Sequence, residues 1–165
     1  KNSFSLSQNY VTIKAGEKQG VEQDMGAITT KGILGIVEQT SSGFSSVQSI
    51  LNKKSRINAK LKNSDYFGSL IWDGKEYTTV QLIDIPKLVS LKVGDTIVTG
   101  AMSSIFPENI PIGTIKDFNL KQGESSYQVN VILFQDMASV KNVYFIKNNE
   151  RAEILELEKE IDNAQ

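Results

Sequence analysis

The stretch that decides the fold consists of two strand signals around one loop: VGDTIVTG at residues 93–100 and FPENIPIGTI at residues 106–115. Apolar and polar residues alternate in both signals, as they do on strands with one buried face. Gly94-Asp95 predicts a turn into the first strand. Pro107 and Pro111 would stiffen the loop, because proline fixes its own φ angle. The stretch therefore predicts short strands joined by ordered connections.

The same alternation extends in both directions along the chain and gives a series of short candidate strands. Asp73-Gly74 is the strongest hairpin signal between two of them. Many short strands at this spacing are typical of barrels or of a sandwich. The candidate strands are Tyr10–Ile13, Ala27–Thr30, Ile33–Thr40, Val47–Leu51, Arg56–Lys62, Phe67–Trp72, Tyr77–Asp84, Thr96–Thr99, Gly113–Leu120, Tyr127–Phe134 and Val143–Ile146.

A faint internal repeat favours two barrels over one sandwich. Val21–Thr29 parallels Leu91–Thr99, and each copy is followed by a glycine-led strand, Gly35-Ile36-Val37 in one and Gly113-Thr114-Ile115 in the other. We therefore predict an all-β fold of two small, related, six-stranded-type β-barrels packed together.

The strands can be divided between two barrels in two ways. A contiguous split near residue 62 gives five and six strands. Alternatively, residues 56–120 form a second barrel that is inserted into a discontinuous first barrel of residues 1–55 plus 121–149. We prefer the insertion, because it keeps the hairpin at Asp73-Gly74 together with the stretch of residues 93–115.

Residues 150–165 differ in period from the rest of the chain. Ile154, Leu157 and Ile161 recur at helical spacing among Glu and Lys residues. The sequence predicts an acidic tail that is either a short amphipathic helix or disordered.

The composition removes most catalytic chemistry. The chain has no His and no Cys, so it offers neither a Ser-His nor a Cys-His pair, and neither imidazole nor thiolate for a metal. No lysine has a serine three residues before it, and the phosphate-binding glycine motifs are missing. Asp73, Asp84, Asp95 and Asp117 fall at turns or strand ends, where aspartate commonly bends the backbone. We expect no catalysis, no cofactor and no metal.

The charge argues against a nucleic-acid partner. A net charge of −1 supplies no general attraction to phosphates. We interpret the basic cluster as a solvated strand face; it comprises Lys53, Lys54, Arg56, Lys60 and Lys62. An OB-like module that binds nucleic acid or oligosaccharide remains the alternative, and it would need a basic groove with exposed aromatic side chains.

Three segments together resemble the MreC family of cell-shape proteins. In that family Gly-Asp-x-Val-x-Thr-x-Gly leads to Phe-Pro-x-Gly-x-x-Ile-Gly-x-Val, as residues 93–115 do here. Residues 9–21 and 66–74 agree in the same order, and Trp72-Asp73-Gly74 is similar to the version in Bacteroidota-like bacteria. Asn109 stands where the family often has glycine, and asparagine is the usual substitute at a positive φ.

The resemblance implies a non-catalytic scaffold of lateral cell-wall elongation, on the periplasmic or extracytoplasmic face of the inner membrane. Its expected partners are a class B penicillin-binding transpeptidase, which it would bind and activate, together with MreD and MreB. It would self-associate into dimers or filaments. The family's membrane anchor would precede this chain, and no apolar run here approaches the length of about 20 residues that spans a bilayer.

Partner contact is predicted on the loop of the deciding stretch, at Ile105, Phe106, Pro107, Ile110 and Ile112. Two roles stay open for Phe106: it either plugs a barrel end or anchors a partner. The remaining family-motif residues are expected to maintain the fold. They are Gly16, Gly20, Gly94, Asp95, Thr99, Pro111 and Gly113.

Overall fold

A computed structural model describes residues 7–163, which contain eleven strands, one short 3-10 helix and one α-helix. The strands lie within two residues of the predicted ones at either end. They are β1 Tyr10–Ile13, β2 Gly26–Ile28, β3 Ile33–Thr40, β4 Ser45–Ser49, β5 Ile57–Leu61, β6 Phe67–Ile71, β7 Thr79–Pro86, β8 Thr96–Thr99, β9 Pro111–Asn119, β10 Ser126–Leu133 and β11 Tyr144–Ile146; the 3-10 helix is Glu17–Gln19 and α1 is Arg151–Asn163.

Six strands close into an antiparallel barrel in the order β10-β7-β6-β5-β8-β9. Every second side chain of β10 points inward, so Val129, Val131 and Leu133 are buried. Leu82 and Ile97 meet them from other strands and are fully buried. The alternation seen in the sequence thus fills the barrel with β-branched and aliphatic side chains.

The other five strands form an open sheet in the order β1-β4-β3-β2-β11. The first of the two predicted barrels, residues 1–55 plus 121–149, is therefore not confirmed as a closed barrel. Its expected sixth strand was Tyr127–Phe134, which corresponds to β10. β10 pairs instead with β7 and β9 and completes the closed barrel, which leaves β1 and β11 at the edges of the sheet.

The position of β10 also corrects the boundary of the predicted insertion. Within residues 121–149, only β11 returns to the sheet, where it pairs with β2. Tyr127 to Ile132 pair with Ile85 to Thr79 of β7, and this long register places β10 in the closed barrel. The division of the chain into separate domains stays a prediction, since one continuous hydrophobic core includes side chains of both the open sheet and the closed barrel.

The tail is helical, as one of the two alternatives predicted. α1 begins at Arg151, whose guanidinium donates to the Ser104 hydroxyl at 2.7 Å and to the Asp24 carboxylate at 3.1 Å. None of the helix's described side chains is buried. Among the described residues, no helix has the length and apolar character that a bilayer crossing requires.

Candidate partner-binding loop

The loop between β8 and β9, residues 100–110, is organised by Thr99 at its start. The Thr99 hydroxyl donates to the carbonyl of Pro107 at 2.6 Å and accepts from the amide of Ile110 at 2.8 Å. The backbone of Thr99 also bonds to the amide of Asn109 and to the carbonyl of Ile110. Asn109 has a φ of 72°, which confirms that asparagine occupies a position with positive φ. The buried Thr99 therefore fixes the second half of the loop, from Pro107 to Ile110.

A second set of hydrogen bonds fixes the first half of the loop. The backbone carbonyl of Asn58 accepts from the amide of Gly100 at 3.0 Å, and its side-chain oxygen accepts from the amide of Met102 at 3.2 Å. The Ser103 hydroxyl accepts from the amides of Ile105 and Phe106 at 3.2 and 2.9 Å. The loop thus needs no partner to be ordered.

Phe106 packs inward against the sheet. Its side chain is only 1% exposed, and a Cβ atom at Gly26 of β2 would lie 2.6 Å from its Cε1. Of the two roles left open by the sequence, the burial favours that of a plug. The absence of a side chain at Gly26 makes room for the ring.

Two further contacts join the loop and the start of β9 to the open sheet and to α1. A Cβ at Gly32 would lie 2.5 Å from the carbonyl oxygen of Pro111, so the β2–β3 turn lies directly against the start of β9. Ser104 accepts from the side chain of Asn148 through its carbonyl and from Arg151 through its hydroxyl. Loop, sheet and α1 are therefore joined at one end of the barrel.

The five predicted partner-contact residues differ in how deeply they are buried. Phe106 and Ile112 are buried in the core, Ile105 and Ile110 are half-buried, and Pro107 is exposed. Met102, which the sequence reasoning missed, is 69% exposed beside them. The outer face of the loop thus includes the exposed apolar side chains of Met102 and Pro107, together with the ion pair between Lys60 and Glu108.

The motif glycines lie at turns and at close approaches. Gly20 and Gly94 have φ values of 79° and 91°, a region that most side chains avoid. A Cβ at Gly16 would collide with the carbonyl oxygen of Ser41, and one at Gly113 with that of Ile132. These residues shape the backbone.

Asp95 lies at the end of the β7–β8 connection, and Pro111 lies at the end of the β8–β9 connection. The two connections are at opposite ends of the barrel. The Asp95 carboxylate accepts from the amide of Lys92 at 3.1 Å and closes the turn before β8. Pro111 opens β9, pairs with Val98 and is exposed. A purely structural role for these two residues stays a prediction.

The sequence reasoning also missed a groove of about 540 Å³ at the far end of the barrel, where β5 and β7 end and β8 begins. Tyr66 and Leu88 line it, and Leu88 is 85% exposed. The sequence signal was an apolar residue in a turn, directly after Pro86-Lys87. Within residues 7–163, no group of three or more acidic side chains is placed to hold a metal ion.

The fold and the deciding stretch match one family over most of the chain. The family model "Rod shape-determining protein MreC, barrel core" matches residues 1–147. The chain belongs to the MreC family. This confirms the resemblance seen in residues 9–21, 66–74 and 93–115, whereas a Bacteroidota origin stays a prediction.

Curated MreC proteins match the chain over most of its length. The cell shape-determining protein MreC of Listeria monocytogenes is 26% identical over 145 residues, which cover 86% of this chain and 49% of the relative. The MreC of Streptococcus pneumoniae is 22% identical over 84% of this chain and 53% of the relative. The chain thus spans about half the length of the curated relatives that it matches.

Solved MreC structures share the architecture. MreC of Listeria monocytogenes superposes with a TM-score of 0.80 at 26% identity, covering 90% of this chain and 71% of that one. MreC from Pseudomonas aeruginosa gives 0.79 at 17% identity, with coverages of 88% and 92%. A chain in the complex between Penicillin-Binding Protein (PBP2) and MreC from Helicobacter pylori gives 0.61 at 13% identity, with coverages of 78% and 82%. The last two show the fold alone.

Proposed function

We propose that this chain is the extracytoplasmic part of a non-catalytic scaffold that binds and activates a class B penicillin-binding transpeptidase and so maintains cell shape. The observation that carries the proposal is the sheet-and-barrel fold, which is shared with MreC proteins and with a chain of the PBP2–MreC complex at a TM-score of 0.61. Activation by binding requires a higher affinity for the active conformation of the partner than for the inactive one.

The outer face of residues 100–110 suits partner recognition for a physical reason. Thr99 and Asn58 hold the loop in one conformation, so docking would cost little conformational entropy. Met102 and Pro107 offer exposed apolar area beside the ion pair of Lys60 with Glu108. A small apolar contact with a polar rim is the usual composition of such interfaces.

The wider role is proposed for the whole protein, because this chain spans only about half of its curated relatives. It comprises a membrane anchor, a place at the periplasmic or extracytoplasmic face of the inner membrane, and links to MreD and MreB. Self-association of this chain into dimers or filaments is part of the same proposal. The open edges β1 and β11 support it, since unpaired strand edges invite contact with another chain.

The test compares two surface variants that lie at opposite ends of the barrel. Met102→Asp introduces a charge on the outer face of the loop, and we expect it to weaken binding to the class B transpeptidase of the same organism by about tenfold or more, or about 1.4 kcal/mol. Leu120→Asp changes an exposed residue directly after β9, at the other end, and should leave the affinity unchanged. Surface plasmon resonance with immobilised transpeptidase and dilute chain measures both.

Melting temperatures of both variants must equal that of the parent, because both side chains are exposed. Parent chain that does not bind the transpeptidase would refute the proposed partner. Equal losses for both variants, or a loss for Leu120→Asp alone, would move the interface away from residues 100–110.

A further inference from the structure

The barrel-end groove combines exposed apolar side chains with basic ones. Tyr66 and Leu88 line it and are 50% and 85% exposed, and Lys62 and Lys92 lie beside them. The carboxylate of Asp95, which also lines the groove, is turned back onto the amide of Lys92. Within the described part of the chain, neither Lys62 nor Lys92 takes part in any of the seven salt bridges. The groove therefore offers an apolar contact flanked by two available cations.

α1 carries the complementary pattern. Ile154, Leu157 and Ile161 form one row along the helix, and Leu157 and Ile161 are 55% and 59% exposed. None of the described side chains of α1 is buried. A helix of this length is marginal in water unless its apolar face packs against something. The exposed row therefore points to a contact with another surface.

The charges beside the row decide which kind of surface fits. When Ile154 and Leu157 are placed at heptad positions a and d, Glu153 and Glu160 fall at g and Glu158 falls at e. Two copies of α1 would then bring glutamates together across both flanks, and like charges there are destabilising. A lysine-flanked apolar groove has the opposite charge. The groove of Lys62 and Lys92 meets this requirement.

The two features lie at opposite ends of the same strand. Thr96 at the start of β8 lines the groove, whereas Ser104, which binds Arg151 of α1, follows the end of β8. No residue of α1 lines the groove of its own chain. A contact between unlike surfaces on two copies is heterologous, and it propagates as a chain of molecules unless the rotation closes a ring.

We propose that α1 of one copy docks, through Leu157 and Ile161, into the Tyr66–Leu88 groove of a second copy, with Glu158 and Glu160 facing Lys62 and Lys92. This contact is a head-to-tail link. It rests on the self-association proposed above and names the surfaces that carry it. It does not depend on transpeptidase binding.

Two variants that each destroy one side of the contact test the proposal in the full chain. Lys62→Glu with Lys92→Glu disables the groove and keeps the helix. Leu157→Ser with Ile161→Ser disables the helix and keeps the groove. All four side chains belong to residues that are exposed, so circular dichroism and melting temperature of both variants should match those of the parent.

Sedimentation equilibrium over a concentration series gives the readout. The parent should form species that grow with concentration and that added salt weakens. Each variant alone should associate at least about tenfold more weakly. An equimolar mixture of the two variants should form a one-to-one dimer and nothing larger, because it contains one intact helix and one intact groove per pair. A control with Lys14→Glu and Lys31→Glu makes the same charge change on the sheet unit and should behave as the parent does.

Three results would overturn the inference: a parent that stays monomeric throughout the series, a groove variant that still self-associates, or a mixture that does not pair. The second result would indicate helix–helix pairing or a strand-edge contact. If the unmodified chain stayed monomeric and α1 bound the transpeptidase instead, the helix would be assigned to that partner. Each of these results leaves the Met102 experiment to be judged separately.

Discussion

Two turns at equivalent points of the open sheet and the closed barrel are alike in backbone conformation. Residues 21–25 precede β2 of the open sheet, and residues 91–95 precede β8 of the closed barrel. At the same position of each turn, Asp24 and Gly94 adopt positive φ angles of 65° and 91°. The faint sequence repeat thus marks a repeated piece of structure.

The hydrogen bonds of the two turns are also equivalent. In each turn, the residue with positive φ donates to a carbonyl of the glycine-led strand, at 2.8 Å in both cases, and that strand donates back to the next residue of the turn at 2.9 Å. The first pair of bonds links Asp24 and Met25 with Val37, and the second links Gly94 and Asp95 with Ile115. The local sequence determines the turn, yet one unit closes and the other does not. Closure depends on a strand that arrives from far along the chain, which is β10.

The largest effect is expected at the side chain that joins the two units. Phe106→Ala removes a ring that is 1% exposed and rests on Gly26, and we expect the free energy of unfolding to fall by about 3–5 kcal/mol. Chemical denaturation followed by circular dichroism measures it. Phe44→Ala, at a side chain that is 51% exposed, is the matched control and should change stability by less than about 0.5 kcal/mol.

If Phe106→Ala left the stability unchanged, the ring could not be a plug. The anchoring of a partner would then be its remaining role. A change in the affinity for the transpeptidase that merely follows the loss of folded protein would support the plug.

A pair of glycine substitutions compares the closed unit with the open one directly. A Cβ at Gly113 of β9 would collide with the carbonyl oxygen of Ile132, and a Cβ at Gly35 of β3 would collide with that of Gln48. We expect the free energy of unfolding to fall by about 3 kcal/mol for Gly113→Ala and by about 2 kcal/mol for Gly35→Ala, which lies within the range for overpacking. The barrel should lose more, because its strands cannot separate without a change of tilt and register around the whole circle.

Denaturation curves of the two variants under identical conditions give the difference. Equal losses, or a larger loss for Gly35→Ala, would contradict the idea that closure makes the barrel the stiffer unit.

The strands could be predicted from the sequence because their alternation is local. Tyr10–Ile13, Ile33–Thr40 and Thr96–Thr99 even have the observed ends. The partner of β10 could not be predicted, since Val129 and Val131 have the same apolar pattern whichever sheet they join. Pairing between distant strands depends on register and packing, which one sequence does not display.

The candidate loop could be predicted as a segment, whereas the orientation of its side chains could not. Pro107 and Asn109 marked an ordered connection, and Asn109 has the positive φ that its place in the family motif indicated. Whether Phe106 faced the sheet or the solvent depended on Gly26, a residue distant in sequence whose significance appears only when the ring lies against it. The groove at Leu88 was missed for the same reason, since its parts come from two separate connections, β5–β6 and β7–β8.

The smallest effect tests whether the two turns are interchangeable. Gly94→Asp copies Asp24 into the barrel turn. Apart from its chain neighbours, no described atom lies within 4 Å of a Cβ placed at Gly94, so the main cost is the backbone conformation. A side chain at positive φ costs roughly 1–2 kcal/mol, and aspartate tolerates this region better than most residues; we expect a loss of about 1 kcal/mol by denaturation. The control is Gly43→Ala, since Gly43 also has open space around its Cβ position and lacks a positive φ. This variant should not lose stability. A loss well above about 2 kcal/mol for Gly94→Asp would mean that the closed barrel holds its turn more tightly than the open sheet does, and that the likeness of the two turns ends at their hydrogen bonds.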